Sequence, residues 1–241
     1  MDRAAGRVAD RNGGAADHLL RQGLGRLGIQ ATPAQLHALG VYRSELLRWA
    51  ARVNLTGLKS DEAIVREGIL RSLSYTWGFE PAPGLIAVDI GSGAGLPGLV
   101  LKICYPEIEM LLVDAARRRA TFMRHVIRQL GLTGVRCLRA RAEGLQDETE
   151  HRRKYHLAFA RAVGALPDVV ALAEPLLAPG GRLVVQVGQK TALSLETMRA
   201  LLTTLDIKAE MRQAPGIDAG LPPTQLLILE KSPHQASRCF T

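Results

Sequence analysis

The amino-acid sequence predicts an α/β protein built on a doubly wound, mostly parallel sheet. Three observations predict it. The apolar run Leu85-Ile86-Ala87-Val88 leads into Asp89-Ile90-Gly91-Ser92-Gly93-Ala94-Gly95-Leu96-Pro97-Gly98, which reads as a buried strand, a glycine loop and a helix start. From residue 85 onwards, strand-like runs alternate with helical patterns, as they do where helices cross over a parallel sheet. The last two runs are joined by a loop alone, broken by Pro215-Gly216 and Pro222-Pro223, so the sheet should finish on an antiparallel hairpin.

Residues 1–16 are rich in Ala, Gly, Arg and Asp without periodicity, and a disordered tail is expected there. Thr32-Pro33 starts a helix, with Thr as N-cap and Pro in the first turn. Leu36, Leu39, Tyr42, Leu46, Trp49 and Val53 follow at helical spacing, with Arg43, Glu45, Arg48 and Arg52 on the opposite face. Asn54-Leu55-Thr56-Gly57 ends this helix, and Ser60-Asp61-Glu62 opens another that runs to about Leu73. These helices make an N-terminal cap over 17–80. Strands are expected at 85–90, 109–114, 135–139, 156–161, 181–187, 206–212 and 225–230, with helices at 97–104, 117–131, 167–177 and 193–204. Pro179-Gly180-Gly181 is a tight turn into the fifth strand. The sheet domain spans 81–232, a tail covers 233–241, and the whole should form one compact unit.

The 241 residues are 47% hydrophobic but only 4% aromatic, so a sizeable core is available and base-stacking platforms are few. Lys and Arg outnumber Asp and Glu by 31 to 23, a net charge of +8, which suits a polyanionic partner. Most of these cations are arginines, which can grip phosphate with two nitrogens. Cys104, Cys137 and Cys239 match neither a disulfide framework nor a metal-ligand spacing, which points to a reducing, cytoplasmic setting. No run is apolar enough to span a bilayer, no signal peptide is evident, and a monomer is expected.

The glycine loop carries the first chemical signal. Its third glycine comes one position too early for the dinucleotide fingerprint, which puts Leu96 in that slot, and Asp89 would repel a pyrophosphate. A sulfonium ligand shaped like an amino acid would not be repelled, so the loop favours S-adenosylmethionine (SAM) over NAD. A sheet of seven strands with a hairpin ending also fits a Rossmann-like, SAM-dependent methyltransferase better than a six-stranded dehydrogenase. Asp114 ends the second strand about 20 residues beyond the loop, where a carboxylate can accept from ribose hydroxyls or cap the next helix. Ala142-Glu143 follows the third strand and reads equally as an adenine-binding edge or a surface loop. Arg117-Arg118-Arg119, with Arg124 and Arg128, is either a solvated face or a phosphate-binding one. Arg161 closes the fourth strand, beside the first, and could serve the chemistry or form a structural ion pair to Glu143 or Asp89. No histidine is spaced with Cys, Asp or Glu as a metal site, and no nucleophile–base arrangement is present.

Together these residues resemble the bacterial small-subunit ribosomal RNA guanine-N7 methyltransferase family, also called glucose-inhibited division protein B. The resemblance spans about residues 34–230. It rests on Leu47-Arg48-Trp49 with Asn54-Leu55-Thr56, on the loop from Asp89 to Gly98, and on Leu112-Val113-Asp114. It continues through Arg118, Arg119, Phe122, Met123, Arg141-Ala142-Glu143 and Arg161-Ala162. The resemblance implies that Asp89, Gly91, Ser92, Gly93, Gly95 and Leu96 hold the methionine part of SAM. It implies that Asp114 holds the ribose, Ala142 and Glu143 the adenine, and that Arg161 lies between cofactor and target base as the catalytic candidate. Arg66, Arg118, Arg119 and Lys190 would face ribosomal RNA or the small subunit. Guanine N7 bears a lone pair and no proton, so the absence of a general base agrees with that chemistry. The chain departs from the family where Arg-His and Asp-Ser usually stand: Arg66-Glu67 and Arg71-Ser72 lack the His and the Asp. Val187-Gly188 and Thr224-Gln225 replace the usual Lys-Gly and Arg-His. Another RNA or a small molecule as substrate, and a non-catalytic SAM- or RNA-binding paralogue, are the alternatives.

Overall fold

The computed structural model describes residues 3–53, 55–188, 191–217 and 223–233, with the side chains of 3–13 and 191–197 excepted. Among them, β1 (Ile86–Ile90), β2 (Glu109–Val113), β3 (Val135–Leu138), β4 (Tyr155–Ala160), β5 (Leu177–Val187), β6 (Ile207–Ala214) and β7 (Thr224–Lys231) form one sheet. Its order is β3-β2-β1-β4-β5-β7-β6. β1 to β5 run parallel, and β7 lies antiparallel between β5 and β6, so the expected hairpin ending is present. β1 pairs with β2 through Val88↔Leu111 and with β4 through Val88↔Ala158, which makes the gap between β1 and β4 the topological switch point. The expected Pro179-Gly180-Gly181 turn falls inside β5. Leu177 pairs with Tyr155 and Arg182 with Leu157, so residues 178–181 bulge from the ladder, with Gly180 at φ 76°.

The helices are α1 (Arg3–Arg26), α2 (Pro33–Ala50), α3 (Asp61–Ala63), α4 (Arg71–Leu73), α5 (Gly98–Cys104), α6 (Arg117–Gln129), α7 (Leu166–Ala173) and α8 (Thr191–Thr204). A π-helical stretch, Ile64–Leu70, joins α3 to α4, and a 3₁₀ turn, Ser74–Gly78, follows. Thr32 and Gln35 form a capping box at α2, and the Ser60 hydroxyl accepts from the Ala63 amide at α3, as their sequences predict. No helix among the described residues is long and apolar enough to cross a membrane.

Period two in the strands sorts the core into two clusters. Ala87, Met110, Leu112, Phe159 and Ile228 face one way, against Leu39 and Leu46 of α2, Ile69, Val100 of α5 and Phe122 of α6. Val88, Ile90, Leu111, Ala158 and Leu227 face the other way, against Val169 and Val170 of α7 and Met198 and Leu202 of α8. The N-terminal helices therefore share a face with α5 and α6. The same alternation puts Asp89 on the face of Ala87, towards that helical layer.

The N-terminus corrects one expectation. Residues 3–16, read as a disordered tail, belong to α1. The apolar stripe that seats the helix is Ala16, Leu19, Leu20, Leu24 and Leu27, all buried, and it begins where the aperiodic segment ends. A consequence follows for α2. Arg43 and Glu45, on the face opposite its apolar stripe, are each 8% exposed, because α1 and α6 cover that face. Arg43 lies 2.7 Å from Asp17 and 2.9 Å from Asp61. The Glu45 carboxylate accepts from Arg48 and from His125 Nε2 at 2.7 Å, and Trp49 packs on both His125 and Phe122.

Burial pushes the Glu45 carboxyl up, but the hydrogen bonds and charges of Arg48 and His125 outweigh it and hold the pKa below its ordinary value. The resulting stabilisation is complete above the unfolded value, about 4.3, and is lost as pH falls through the lower folded one. Glu45→Gln should therefore lower stability by about 1.5 kcal/mol at neutral pH and flatten its fall below about pH 4. Urea unfolding of both proteins across that range is the measurement; parallel curves would refute the assignment.

Candidate cofactor and substrate site

The loop after β1 is shaped from below by Asp89. Its side chain is fully buried, and Oδ2 accepts from Ser92 Oγ at 2.5 Å and from the Gly98 amide at 2.8 Å. Oδ1 is buried without a hydrogen bond. Burial pushes this carboxyl up to about 7, against the lowering effect of the Ser92 and Gly98 hydrogen bonds and the Arg161 charge. Gly91, Gly93 and Gly95 have φ of 66°, 60° and 84°, the left-handed region that glycine enters without strain. Gly98 is required for a different reason: a Cβ there would lie 2.4 Å from Leu112 Cδ2 and 2.7 Å from Asp89 Oδ2. Pro97 is the N-cap of α5 rather than its first helical residue.

Asp114 stands immediately after β2 and is 5% exposed. Its Oδ2 accepts from the Gly93 amide at 2.9 Å and its Oδ1 from the Ala116 amide at 2.8 Å, so one carboxylate joins the end of β2 to the glycine loop. It is not the N-cap of α6, a position held by Ala116. Each carboxylate oxygen has further acceptor capacity. Beside it opens a cavity of about 230 Å³ lined by Gly91, Asp114, Arg119, Ala142, Glu143 and Val163. Ala142 and Glu143 begin a 3₁₀ turn, Ala142–Asp147, that forms the far wall. The cavity thus brings together four residues expected to hold a cofactor: Gly91, Asp114, Ala142 and Glu143. The carboxylates of Asp114 and Glu143 on its wall suit a ligand bearing hydroxyls. Leu96, also expected there, is 9% exposed and packs its side chain into the cluster under the helical layer.

Arg161 directly follows β4 and reaches into the helical layer. Nη2 donates to the Glu67 carbonyl, and Nη1 lies 3.4 Å from Ser72 Oγ. No ion pair to Glu143 or Asp89 is present, so the structural alternative takes another form: an anchor to the π-helical stretch and α4. The following residues turn sharply, with Ala162 at φ 56° and Gly164 at φ 89°. Val163 between them lies over Gly91, its Cγ2 2.7 Å from where a Cβ would stand. It divides the first cavity from a second of about 210 Å³, lined by Ala162, Gly164, Leu166, Gln186 and Gly188.

Two buried tyrosines tie the helical layer to this edge. Tyr42 OH donates to the Ala94 carbonyl at 2.9 Å; Tyr75 OH donates to the Ala160 carbonyl at 3.1 Å and accepts from the Gln186 amide at 3.3 Å. Burial raises both phenol pKa values, so both stay protonated. Sequence reading placed Tyr42 on the apolar face of its helix and did not find its role, because a helical period reports burial and not the partner of a hydroxyl. Glu67 and Arg71, where the chain departs from the family pattern, form an ion pair with each other.

The basic residues divide. Arg117 and Arg118 are exposed. Arg119 turns back towards Asp114, its Nη1 3.5 Å from Oδ2. Arg124 donates to the Cys137 carbonyl of β3, and Arg66 lies 3.5 Å from Glu62. Lys190, Asn54 and Cys239 lie outside the described residues; Cys104 and Cys137 are free thiols.

With the geometry in hand, comparison with known proteins decides the family. The model described as rRNA small subunit methyltransferase G (GidB) matches residues 35–216. The chain belongs to this family. A ribosomal RNA small subunit methyltransferase G from Chloroflexus aggregans is 35% identical over 225 residues, covering 93% of this chain and 94% of the relative. One from Geobacter sp. (strain M21) is 36% identical over 191 residues, covering 79% and 86%. Among solved structures, precorrin-6y C5,15-methyltransferase from Geobacter metallireducens superposes with a TM-score of 0.51 at 13% identity, covering 68% of this chain and 88% of that one. TrmN from Thermus thermophilus gives 0.52 at 20% identity, covering 78% and 52%. At these identities the structures share the fold alone. The family's pattern and the buried contacts meet at Gly98. Gly98→Ala should destabilise the protein by about 2 kcal/mol through overpacking against Leu112 and Asp89, read by urea unfolding; an unchanged midpoint would show that the loop has room.

Proposed function

We propose that the protein transfers a methyl group from SAM to N7 of a guanine in small-subunit ribosomal RNA, in the cytoplasm. One observation carries the reading: in a chain matched to this family over 35–216, a cavity beyond the carboxyl ends of β1 and β2 gathers Gly91, Asp114, Ala142 and Glu143 and adjoins, across Val163, a second cavity lined by Ala162, Gly164 and Gln186. The glycine loop would cradle the methionine part, with Asp114 accepting from the ribose hydroxyls and Glu143 and the Ala142 amide reading the adenine edge. When bound, SAM supplies a methyl group made electrophilic by its sulfonium. The chain's own contribution is placement. N7 has a free lone pair, so in-line orientation replaces general-base catalysis. Arg161, braced by the Glu67 carbonyl and Ser72, presents a planar guanidinium for the guanine or a flanking phosphate.

The test is tritiated-SAM transfer to small ribosomal subunits and to naked ribosomal RNA from a strain lacking the gene, followed by nucleoside analysis. Label in 7-methylguanosine is expected; label in another nucleoside, or none, overturns the reading. Arg161→Lys should keep SAM affinity within about twofold, under 0.5 kcal/mol, while the single-turnover rate falls sharply, because Lys cannot span two acceptors and still grip a third. Parallel loss of SAM binding and thermal stability would instead mark Arg161 as an anchor only.

The exposed arginines of α6 supply the RNA face. Arg118→Glu should weaken RNA binding and flatten its salt dependence by about one phosphate contact, with SAM affinity unchanged. Arg119 is unsuited to this test because it lies against Asp114. If wild type and Arg118→Glu bind RNA alike at every salt concentration, that face is merely solvated.

A further inference from the structure

We propose that Glu148, Glu150 and His151, in the segment leading into β4, form a binding site for a borderline divalent cation such as Zn²⁺. The spacing of the histidines matches no familiar metal motif, yet the local backbone turns these three neighbours in sequence towards one another. Their ligand atoms all lie within 4.8 Å of one another. His151 is 2% exposed, while the two glutamate side chains are 52% and 63% exposed, so a fixed nitrogen faces a solvent-open pair of carboxylates. His151 Nε2 stands 3.5 Å from Glu148 Oε2 and 3.4 Å from Glu150 Oε1. Those separations are long for hydrogen bonds. They match the ~3.4 Å edge between ligands in a tetrahedral site with bonds of about 2.1 Å.

A second observation lies outside the trio. His151 Nδ1 is 2.7 Å from the hydroxyl of Tyr155, the first residue of β4, and the two rings stack at 6.1 Å with 19° between their planes. Tyr155 is itself 1% exposed, and in one tautomer of the imidazole its hydroxyl oxygen accepts from Nδ1–H. That tautomer aims the Nε2 lone pair at the carboxylates. It is the outer-shell arrangement that orients metal-binding imidazoles. An imidazole with two carboxylates suits Zn²⁺ or Co²⁺ better than Mg²⁺ or Ca²⁺, which prefer oxygen alone. Three protein ligands leave a fourth position for water. The site lies at the start of β4, and Arg161 follows the other end of that strand, so the cation would clamp the approach to β4 and take no part in methyl transfer.

The experiment uses the full chain, stripped with a chelator and titrated with Co²⁺. The expected result is the intense visible absorption of tetrahedral Co²⁺, abolished by Zn²⁺ and unaffected by Mg²⁺. Glu148→Gln/Glu150→Gln, which alters only exposed side chains, should weaken Co²⁺ binding by at least about tenfold, and His151→Asn should do the same. Methyl transfer by the double variant should match wild type. Absence of the visible bands, thiolate charge-transfer bands from a cysteine site, equal displacement by Mg²⁺, or undiminished binding by the double variant would each overturn the proposal.

Discussion

A carboxylate with no exposed surface underlies the glycine loop, and the geometry of the site follows from how Asp89 is satisfied. An unpaired charge in such a place costs several kcal/mol. Here Oδ2 takes one bond from inside the loop, at Ser92, and one from the first residue of α5, at Gly98. These two bonds fix where the loop begins and where the helix starts. The remaining deficit appears as a carboxyl raised to about 7, and the Arg161 charge opposes that rise. Arg161 is thus coupled electrostatically to the floor of the glycine loop and bonded mechanically to the helical layer.

The helical layer is consequently part of the site. Tyr42 reaches the loop at Ala94, while Tyr75 reaches both β4 at Ala160 and β5 at Gln186. The phenols span the switch point from beneath, one on each side. The Glu67–Arg71 pair stands within the same segment, and Arg161 holds the Glu67 carbonyl. Two of the positions expected to depart from the family pattern are therefore partners of one another, next to the proposed catalytic residue.

The sheet was legible because its central strands are apolar on both faces, leaving unbroken runs such as Leu111-Leu112-Val113 between turn signals. The loop was legible because glycines and Pro97 report backbone geometry directly. What escaped was tertiary. α1 is seated by a stripe that begins only at Ala16, and its presence turns Arg43 from a solvated cation into a buried one held by Asp17 and Asp61. The partners of Arg161 lie about ninety residues away in sequence, and no period in either segment could name them. His151 escaped for a different reason: its partners are close in sequence, but its ring is aimed by Tyr155, and aim is not a property of spacing.

The π-helical stretch Ile64–Leu70 has a consequence for how this chain can vary in length. A π turn accommodates an extra residue relative to an α-helix, and each residue rotates a helix by about 100°. Deleting one residue between Ile64 and Leu70 would give a more regular helix. It would also swing everything after it round the axis, carrying Ser72 off Arg161 and Tyr75 off Ala160 and Gln186. Helical regularity and these tertiary contacts are opposed at this point, so the interval from Ser60 to Tyr75 should resist insertion and deletion. The bulge at 178–181 is under no such lock, since the ladder resumes on either side of it. Length variation among relatives should gather in places like that bulge and avoid the helix that looks least ideal.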